Sequence, residues 1–344
     1  MARRVASAIA LLLVLGGCSV ADQPEAPASA EQAAVKKDSA CQRPRYRDVI
    51  GQRPALKARK LSRFANDRAA CAGWWLPKVD PGFVPQGLAL DGATAWVSGW
   101  SKSDRRFPFQ TCRLMQVDLK TGKLLRYAPL VKGKVGRTGP RVCRHGDGVD
   151  ITSRGVWLTE TDRVWLLDPK RVGKKRMIKR AWRVLDPMRA SVATISGGSL
   201  GLASFQKQQP GRLDWFPIEA MMARGAIDLA PGKIPKDARR RLVGSRSQTV
   251  PNMVQGLTVA PDGRIVFNRS VSRCGTLVIG KRNLGFLPGA EDIEYDGAGG
   301  LWVLSETVAL KSLTGGDRPV VPELVRFDVA KLMKGRSARC LRHP

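Results

Sequence analysis

From about residue 83 the chain alternates apolar and polar positions in short runs, and the runs come in pairs. Residues 254–268, VQGLTVAPDGRIVFN, show the unit: a polar residue and a glycine, an apolar run, an Asp-Gly turn, and a second apolar run. The same arrangement recurs as PQGLALDGATAWVSG at 85–99, GDGVDITSRGVWLTE at 146–160 and AEDIEYDGAGGLWVLSE at 290–306. A period of two around a glycine-bearing turn predicts a β-hairpin each time. A third strand follows as LMQVD at 114–118, VWLLD at 164–168 and LVRFD at 324–328, with weaker versions TLVIG at 276–280 and RLDWF at 212–216. A fourth run, such as KLLRYAPL at 123–130, then leads into the next repeat.

Four strands per repeat, joined by loops of unequal length, predict an all-β fold: a β-propeller of four-stranded blades. Five blades are visible, starting near 84, 146, 190, 254 and 290. The third, ASVATISGGSLGLASFQ at 190–206, lacks the leading polar residue, and a sixth within 41–82 stays open. The recurring phrase, polar-Gly-[Leu/Val] and then a glycine turn before an apolar run with Trp or Phe, resembles the NHL, SMP-30/gluconolactonase and strictosidine-synthase-like propellers over roughly 83–330. That resemblance implies the blade and leaves the activity open. Trp96, Trp157 and Trp302, early in the second strands, are expected to pack between blades. The last repeat shows only three clear strands, so AGWWLPK at 72–78 is expected to supply the outer strand that closes the ring.

The N-terminus reads differently. Residues 1–17 have a basic start and a short apolar stretch, the pattern of a signal peptide, and Leu15-Gly16-Gly17-Cys18 resembles the lipobox of bacterial lipoproteins. That resemblance implies an acylated Cys18, and two acyl chains give a stable anchor where one is marginal. Residues 18–40 lack aromatic residues and are rich in Ala, Pro, Ser and Glu, as expected of a flexible tether. The basic segment 41–82 precedes the propeller at 83–344. Within it, 54–72 places Leu61, Ala65 and Ala72 on one helical face, predicting a short amphipathic helix. The location expected is extracytoplasmic, at the cell membrane or, in a diderm, the outer membrane.

Cysteine use agrees with export. Without Cys18, six cysteines remain, none in a C-x-x-C pair and with only two histidines in the chain, so disulfides are expected rather than zinc. Loop placement suggests Cys112–Cys143 and a ring-locking Cys71–Cys340, which leaves Cys41–Cys274. The formal net charge is +30, with basic clusters at 43–63, 170–183 and 236–246. Outside the cytoplasm this points to anionic lipid headgroups or envelope polymers, or it serves solubility alone. No motif for sequence-specific nucleic-acid reading is present, and a monomer is expected.

In a propeller the inner strands begin, and the second strands end, on one face, the top. Gln86, Asp147, Gln255 and Glu291 occupy the first position; Glu160, Asn268 and Glu306 stand at or near the second. Straight pairing would set Asp147 opposite Glu160, Gln255 opposite Asn268 and Glu291 opposite Glu306. Four carboxylates and three amides at one mouth suit calcium. The lactonase resemblance implies Asp147, Asn268 and Glu291 as metal ligands polarising an ester or lactone. His145 is the one histidine outside the C-terminal tail, hence the candidate base, with Glu160 and Glu306 as further candidate catalytic groups. Glu160 with Glu291 would also suit a paired-carboxylate glycosidase. The reading that follows is ligand or envelope-partner binding at the top face. The alternative is a metal-dependent hydrolase of lactonase, esterase or phosphoesterase type; whether the chain is an enzyme is left open.

Overall fold

The computed structural model describes residues 41–80, 82–101, 110–135, 138–223, 227–232, 241–271, 273–314 and 318–337. The expected signal peptide, Cys18 and tether lie outside them. Blade one comprises β1-independent strands that follow the first short strand, β1 (Ala70–Trp74): β2 (Phe83–Asp91), β3 (Thr94–Ser101), β4 (Cys112–Asp118) and β5 (Leu124–Ala128). A hairpin, β6 (Lys132–Val135) and β7 (Thr138–Val142), leads to β8 (Gly148–Thr152), β9 (Gly155–Glu160), β10 (Arg163–Leu167) and β11 (Ile178–Val184) of blade two. Blade three begins with β12 (Val192–Ser196), β13 (Ser199–Ala203) and β14 (Gly211–Pro217).

The chain then leaves blade three. Helix α1 (Ile218–Met222) takes it to β15 (Asp228–Ala230) and β16 (Arg241–Val243), which add in parallel to the outer edge of blade two, before β17 (Arg246–Val250) completes blade three. Arg183 holds the new edge, donating from Nε and Nη2 to the two carboxylate oxygens of Asp228 at 2.7 Å each. Strands β18 (Val254–Val259), β19 (Ile265–Val271), β20 (Cys274–Ile279) and β21 (Arg282–Phe286) form blade four. The fifth has β22 (Ala290–Tyr295), β23 (Gly300–Ser305) and β24 (Leu324–Asp328), with α2 (Thr307–Thr314) between the last two and α3 (Val329–Met333) after them. The protein is thus a β-propeller: four antiparallel four-stranded sheets and one widened to six, with neighbouring inner strands β2, β8, β12, β18 and β22 in contact around a ring. Among the described residues no helix is long and apolar enough to cross a membrane.

Strand β1 closes the circle as the fourth strand of blade five, pairing antiparallel with β24 from Ala70↔Phe327 to Trp74↔Leu324. Trp74 packs against Trp302, tilted by 32° at 4.6 Å between ring centroids, and donates Nε1 to the Leu119 carbonyl of blade one at 2.7 Å. Trp96, Trp157 and Trp302 are all buried, and each bonds back to its own hairpin, to Asp91, Thr152 and Asp296 respectively. The second-strand tryptophan therefore both fills the space between blades and locks the turn that precedes it.

Three expectations need correction. Residues 54–66 form no helix; only 3₁₀ turns occur, at Tyr46–Asp48 and Asp67–Ala69. The segment is instead drawn out along the propeller, with Ser62 bonded in both directions to Val320 and Leu56, Ala58 and Leu61 packed on the core. Tertiary contacts outweigh the helical spacing. Of the disulfides, Cys112–Cys143 is present, but Cys41 pairs with Cys71. That replaces both Cys71–Cys340 and Cys41–Cys274, although Cys274 is itself disulfide-bonded.

The repeated glycine has a steric cause. A Cβ on Gly87 would stand 2.6 Å from the Val149 nitrogen, one on Gly148 2.9 Å from the Ala193 nitrogen, and one on Gly256 2.6 Å from the Asp292 Cα. Each contact is with the backbone of the next inner strand, so the ring packs backbone to backbone here. Blade five places Asp292 in the corresponding slot, and its carboxylate accepts from Leu88 N of blade one at 2.8 Å. Asp150 does the same for Ile195 N of blade three at 2.5 Å.

Candidate functional site

The register at the top of each inner strand departs from straight pairing. In blade one Pro85 faces Gly99 but Gly87 faces Ser98; in blade four Val254 faces Arg269 but Gly256 faces Asn268; in blade five Ala290 faces Ser305 but Asp292 faces Leu304. Gln86, Gln255 and Glu291 are therefore the extra residues of three β-bulges. A bulge residue has no cross-strand partner and its side chain is re-aimed. The predicted oppositions Gln255–Asn268 and Glu291–Glu306 are replaced by this shift. Asp147 is placed similarly, just before β8, with its amide on the Thr159 carbonyl.

The re-aimed side chains meet. Gln86 Nε2 donates to Glu306 Oε2 at 3.4 Å, and Gln255 Nε2 to Glu291 Oε1 at 3.4 Å. Glu291 and Glu306 also interact side chain to side chain, which raises the pKa of Glu291 and lowers that of Glu306. Burial, and then the charges of Glu306, Asp147 and Asp292, hold Glu291 well above the ordinary carboxylate range. Burial pushes Glu306 up to about 7, against the pull of His145 and Arg318. His145 Nδ1 lies 2.6 Å from Asp147 Oδ1. Burial alone would lower the imidazole, but Asp147 and Glu306 outweigh it and its pKa is raised.

His145 also has a left-handed backbone, φ +65°, which a histidine adopts only where its surroundings hold it. The ring of Trp100 stacks on it at 5.9 Å. Among the described residues, two buried polar atoms at this mouth, Asp147 Oδ2 and Arg318 Nη1, have no hydrogen-bond partner. Six of the residues singled out from sequence are thus brought together: Gln86, His145, Asp147, Gln255, Glu291 and Glu306.

Two are not. Glu160 is buried and fully engaged: Oε1 accepts from Arg163 at 2.9 Å and Trp165 Nε1 at 3.0 Å, Oε2 from Arg144 N at 2.9 Å. Its expected catalytic role, alone or as a glycosidase pair with Glu291, gives way to bracing blade two. Asn268, wholly buried, donates Nδ2 to the Ala290 carbonyl at 2.8 Å and ties blade four to blade five. Ser98 serves blade one alike, donating to Gly146 O at 3.0 Å.

Asp147 meets His145 through Oδ1, Glu291 lies against Glu306 and Gln255, and Asn268 donates Nδ2 to a backbone carbonyl, while among the described residues Asp147 Oδ2 and Asn268 Oδ1 have no hydrogen-bond partner. Among the described residues no three Asp, Glu, His or Cys side chains are grouped to hold a metal ion. Without such a grouping, no step is routed through a metal.

Trp100 and Arg318 escaped the sequence reading because they lie outside the repeated phrase. So did Asp150, Asp292 and Glu294 lower in the ring, although their period-two placement on inner strands was a usable sign. Burial pushes Asp150 up to about 7 and holds Asp292 and Glu294 well above their ordinary range. Elsewhere burial takes Glu160 to about 7 and Glu323 to about 8. In the unfolded chain such groups titrate near pH 4, roughly. The folded protein therefore binds more protons between about pH 4 and pH 8, and the stability they contribute is lost as pH rises through that window. The melting temperature should fall between about pH 5 and pH 8, although lowering pH adds to an already positive charge. Asp150→Asn should flatten that slope in scanning calorimetry; a wild-type melting temperature that rises across the interval would refute the assignment.

No family profile matches the chain, and no curated protein does. Among solved structures it is similar to a luciferin-regenerating enzyme, with a TM-score of 0.41 and 8% identity over 71% of this chain and 90% of that one. A second is the PQQ-bound aldose sugar dehydrogenase of Streptomyces coelicolor, at 0.38 and 13% over 71% and 94%. A third is the WD40 domain of Neurospora crassa Pan2, at 0.31 and 10% over 65% and 60%. At these identities the likeness concerns the fold alone.

Proposed function

We propose that this chain is an extracytoplasmic propeller, lipid-anchored through Cys18, that binds a polar ligand or envelope partner at the top-face mouth. The observation that carries the reading is the meeting of Gln86, His145, Asp147, Gln255, Glu291 and Glu306, drawn from four blades: the His145–Asp147 pair interacts by charge with a hydrogen-bonded group of the two amides and two carboxyls. Protonated carboxyls, two side-chain amides and an imidazole offer donors to hydroxyl, carbonyl or phosphate oxygens. The disulfides Cys41–Cys71 and Cys112–Cys143 support an oxidising compartment.

A second reading is favoured by one pair. An imidazole held 2.6 Å from a carboxylate is oriented as a general base, and Glu306, with a pKa of about 7, is suited to return a proton. Water activated by His145 would attack an ester, lactone or phosphoester.

Melting curves test both against uncharged glycans, poly(glycerol phosphate), short peptides and calcium. A compound that raises the melting temperature of the wild type, but not of Glu291→Gln or Gln255→Ala, supports the binding site. Shifts that survive both substitutions refute it. Hydrolysis of p-nitrophenyl acetate or a simple lactone, reduced about 100-fold in His145→Ala with ligand shifts retained, would move the hydrolase ahead.

A further inference from the structure

One stretch of the surface, on blades one and two, gathers several exposed basic side chains. The loop joining β10 to β11 exposes five basic side chains between Lys170 and Arg176. One of them, Arg171, reaches an acid, Asp168, at 3.6 Å. The loop lies against blade one, where Arg126 Nη1 donates to the Lys170 carbonyl at 3.3 Å and Gly173 fits under the Tyr127 carbonyl. Blade one adds exposed Lys120 and Lys123 from its β4–β5 turn. The β6–β7 hairpin, whose Gly133 packs on Ile178 of β11, adds exposed Lys132 and Lys134. The acids in this region, Asp118 and Asp168, accept from the backbone nitrogens of Lys120 and Lys170 and cap their own turns.

Leucines stand among these cations. Leu125 and Leu130 are 50% and 42% exposed, the only large hydrophobic side chains so exposed among the described residues. They flank Arg126 in the stretch KLLRYAPLVKGK at 123–134. A purely anionic polymer accounts for the lysines but leaves the leucines in water. A bilayer surface accounts for both, since headgroups take the cations while leucines enter the boundary with the acyl chains.

We propose that this rim of blades one and two docks on an anionic lipid surface. The contact requires no acyl chain on Cys18 and engages none of the residues at the top-face mouth. It would hold the domain against the membrane to which the tether leads.

The unacylated chain from Ala33 onward, one compact unit, provides the test. It is mixed with phosphatidylcholine vesicles with or without phosphatidylglycerol, and the bound fraction is read by co-sedimentation. Binding is expected only with phosphatidylglycerol. The double variant Lys174→Glu/Lys175→Glu should bind at least about tenfold more weakly and Leu125→Ser/Leu130→Ser several-fold more weakly, both at unchanged melting temperature. Undiminished vesicle binding by either variant overturns the proposal. So does full competition by poly(glycerol phosphate) with no effect of the leucines, which would mark a general polyanion site. Labelling of Cys18 with an alkyne fatty acid in cells tests the anchor separately, so failure of one leaves the other standing.

Discussion

A chain started at Val79, and so lacking β1, should aggregate instead of forming a monomeric propeller. Without β1 the β24 edge is open, and an unpaired strand edge is a template for association. The deletion also removes the Trp74–Trp302 contact, the bond from Trp74 to Leu119 and the bond from Leu76 N to the buried Glu323 carboxyl at 3.2 Å. Truncating one buried tryptophan to alanine costs about 3–5 kcal/mol, and native domains hold only about 5–15 kcal/mol in total. Trp74→Ala alone should therefore lower the melting temperature clearly while leaving a soluble protein. Size-exclusion chromatography with circular dichroism distinguishes the two. A truncated chain that elutes as a monomer and melts cooperatively would show that closure by β1 is dispensable.

Gly87→Ala should destabilise the ring by about 1–3 kcal/mol, the usual cost of overpacking. Its new methyl would stand 2.6 Å from Val149 N and 2.7 Å from Gly148 C, and neither backbone atom can swing aside. Gly256→Ala should behave alike against Asp292. The control is Gly139→Ala in β7, where nothing lies within 4 Å of the added methyl. There the change should be neutral or slightly stabilising, because alanine narrows the unfolded ensemble. Equal melting temperatures for Gly87→Ala and Gly139→Ala would mean that the inner strands are less closely packed than described.

The blade hairpins, their order and the ring-closing role of the N-terminal segment were legible in the sequence, because each depends on side-chain periodicity and turn residues. What depends on backbone events was not. A β-bulge leaves no residue type of its own, so straight pairing put Gln255 opposite Asn268 when Gly256 is there. Glu160 and Asp147 stand at comparable ends of adjacent strands, yet one is consumed by Arg163, Trp165 and Arg144 and the other faces His145. The excursion that adds β15 and β16 to blade two is non-local and short, with three residues in each strand. Residues 54–72 misled for a different reason. Their apolar spacing fits a helix and equally fits an extended segment whose leucines reach down to a surface already built.

The bulges at Gln86, Gln255 and Glu291 have a consequence for how such a protein changes over generations. A residue that pairs with nothing across its sheet does not hold the strand ladder together. The residue one step along, Gly87, Gly256 or Asp292, is held against the next inner strand, whereas the bulge residue can change identity while every ladder stays in register. Substitutions at those three positions should therefore spare the ladders but covary with one another, Gln255 with its partner Glu291 above all, and a library randomised there together would retain the scaffold while sampling new recognition chemistry.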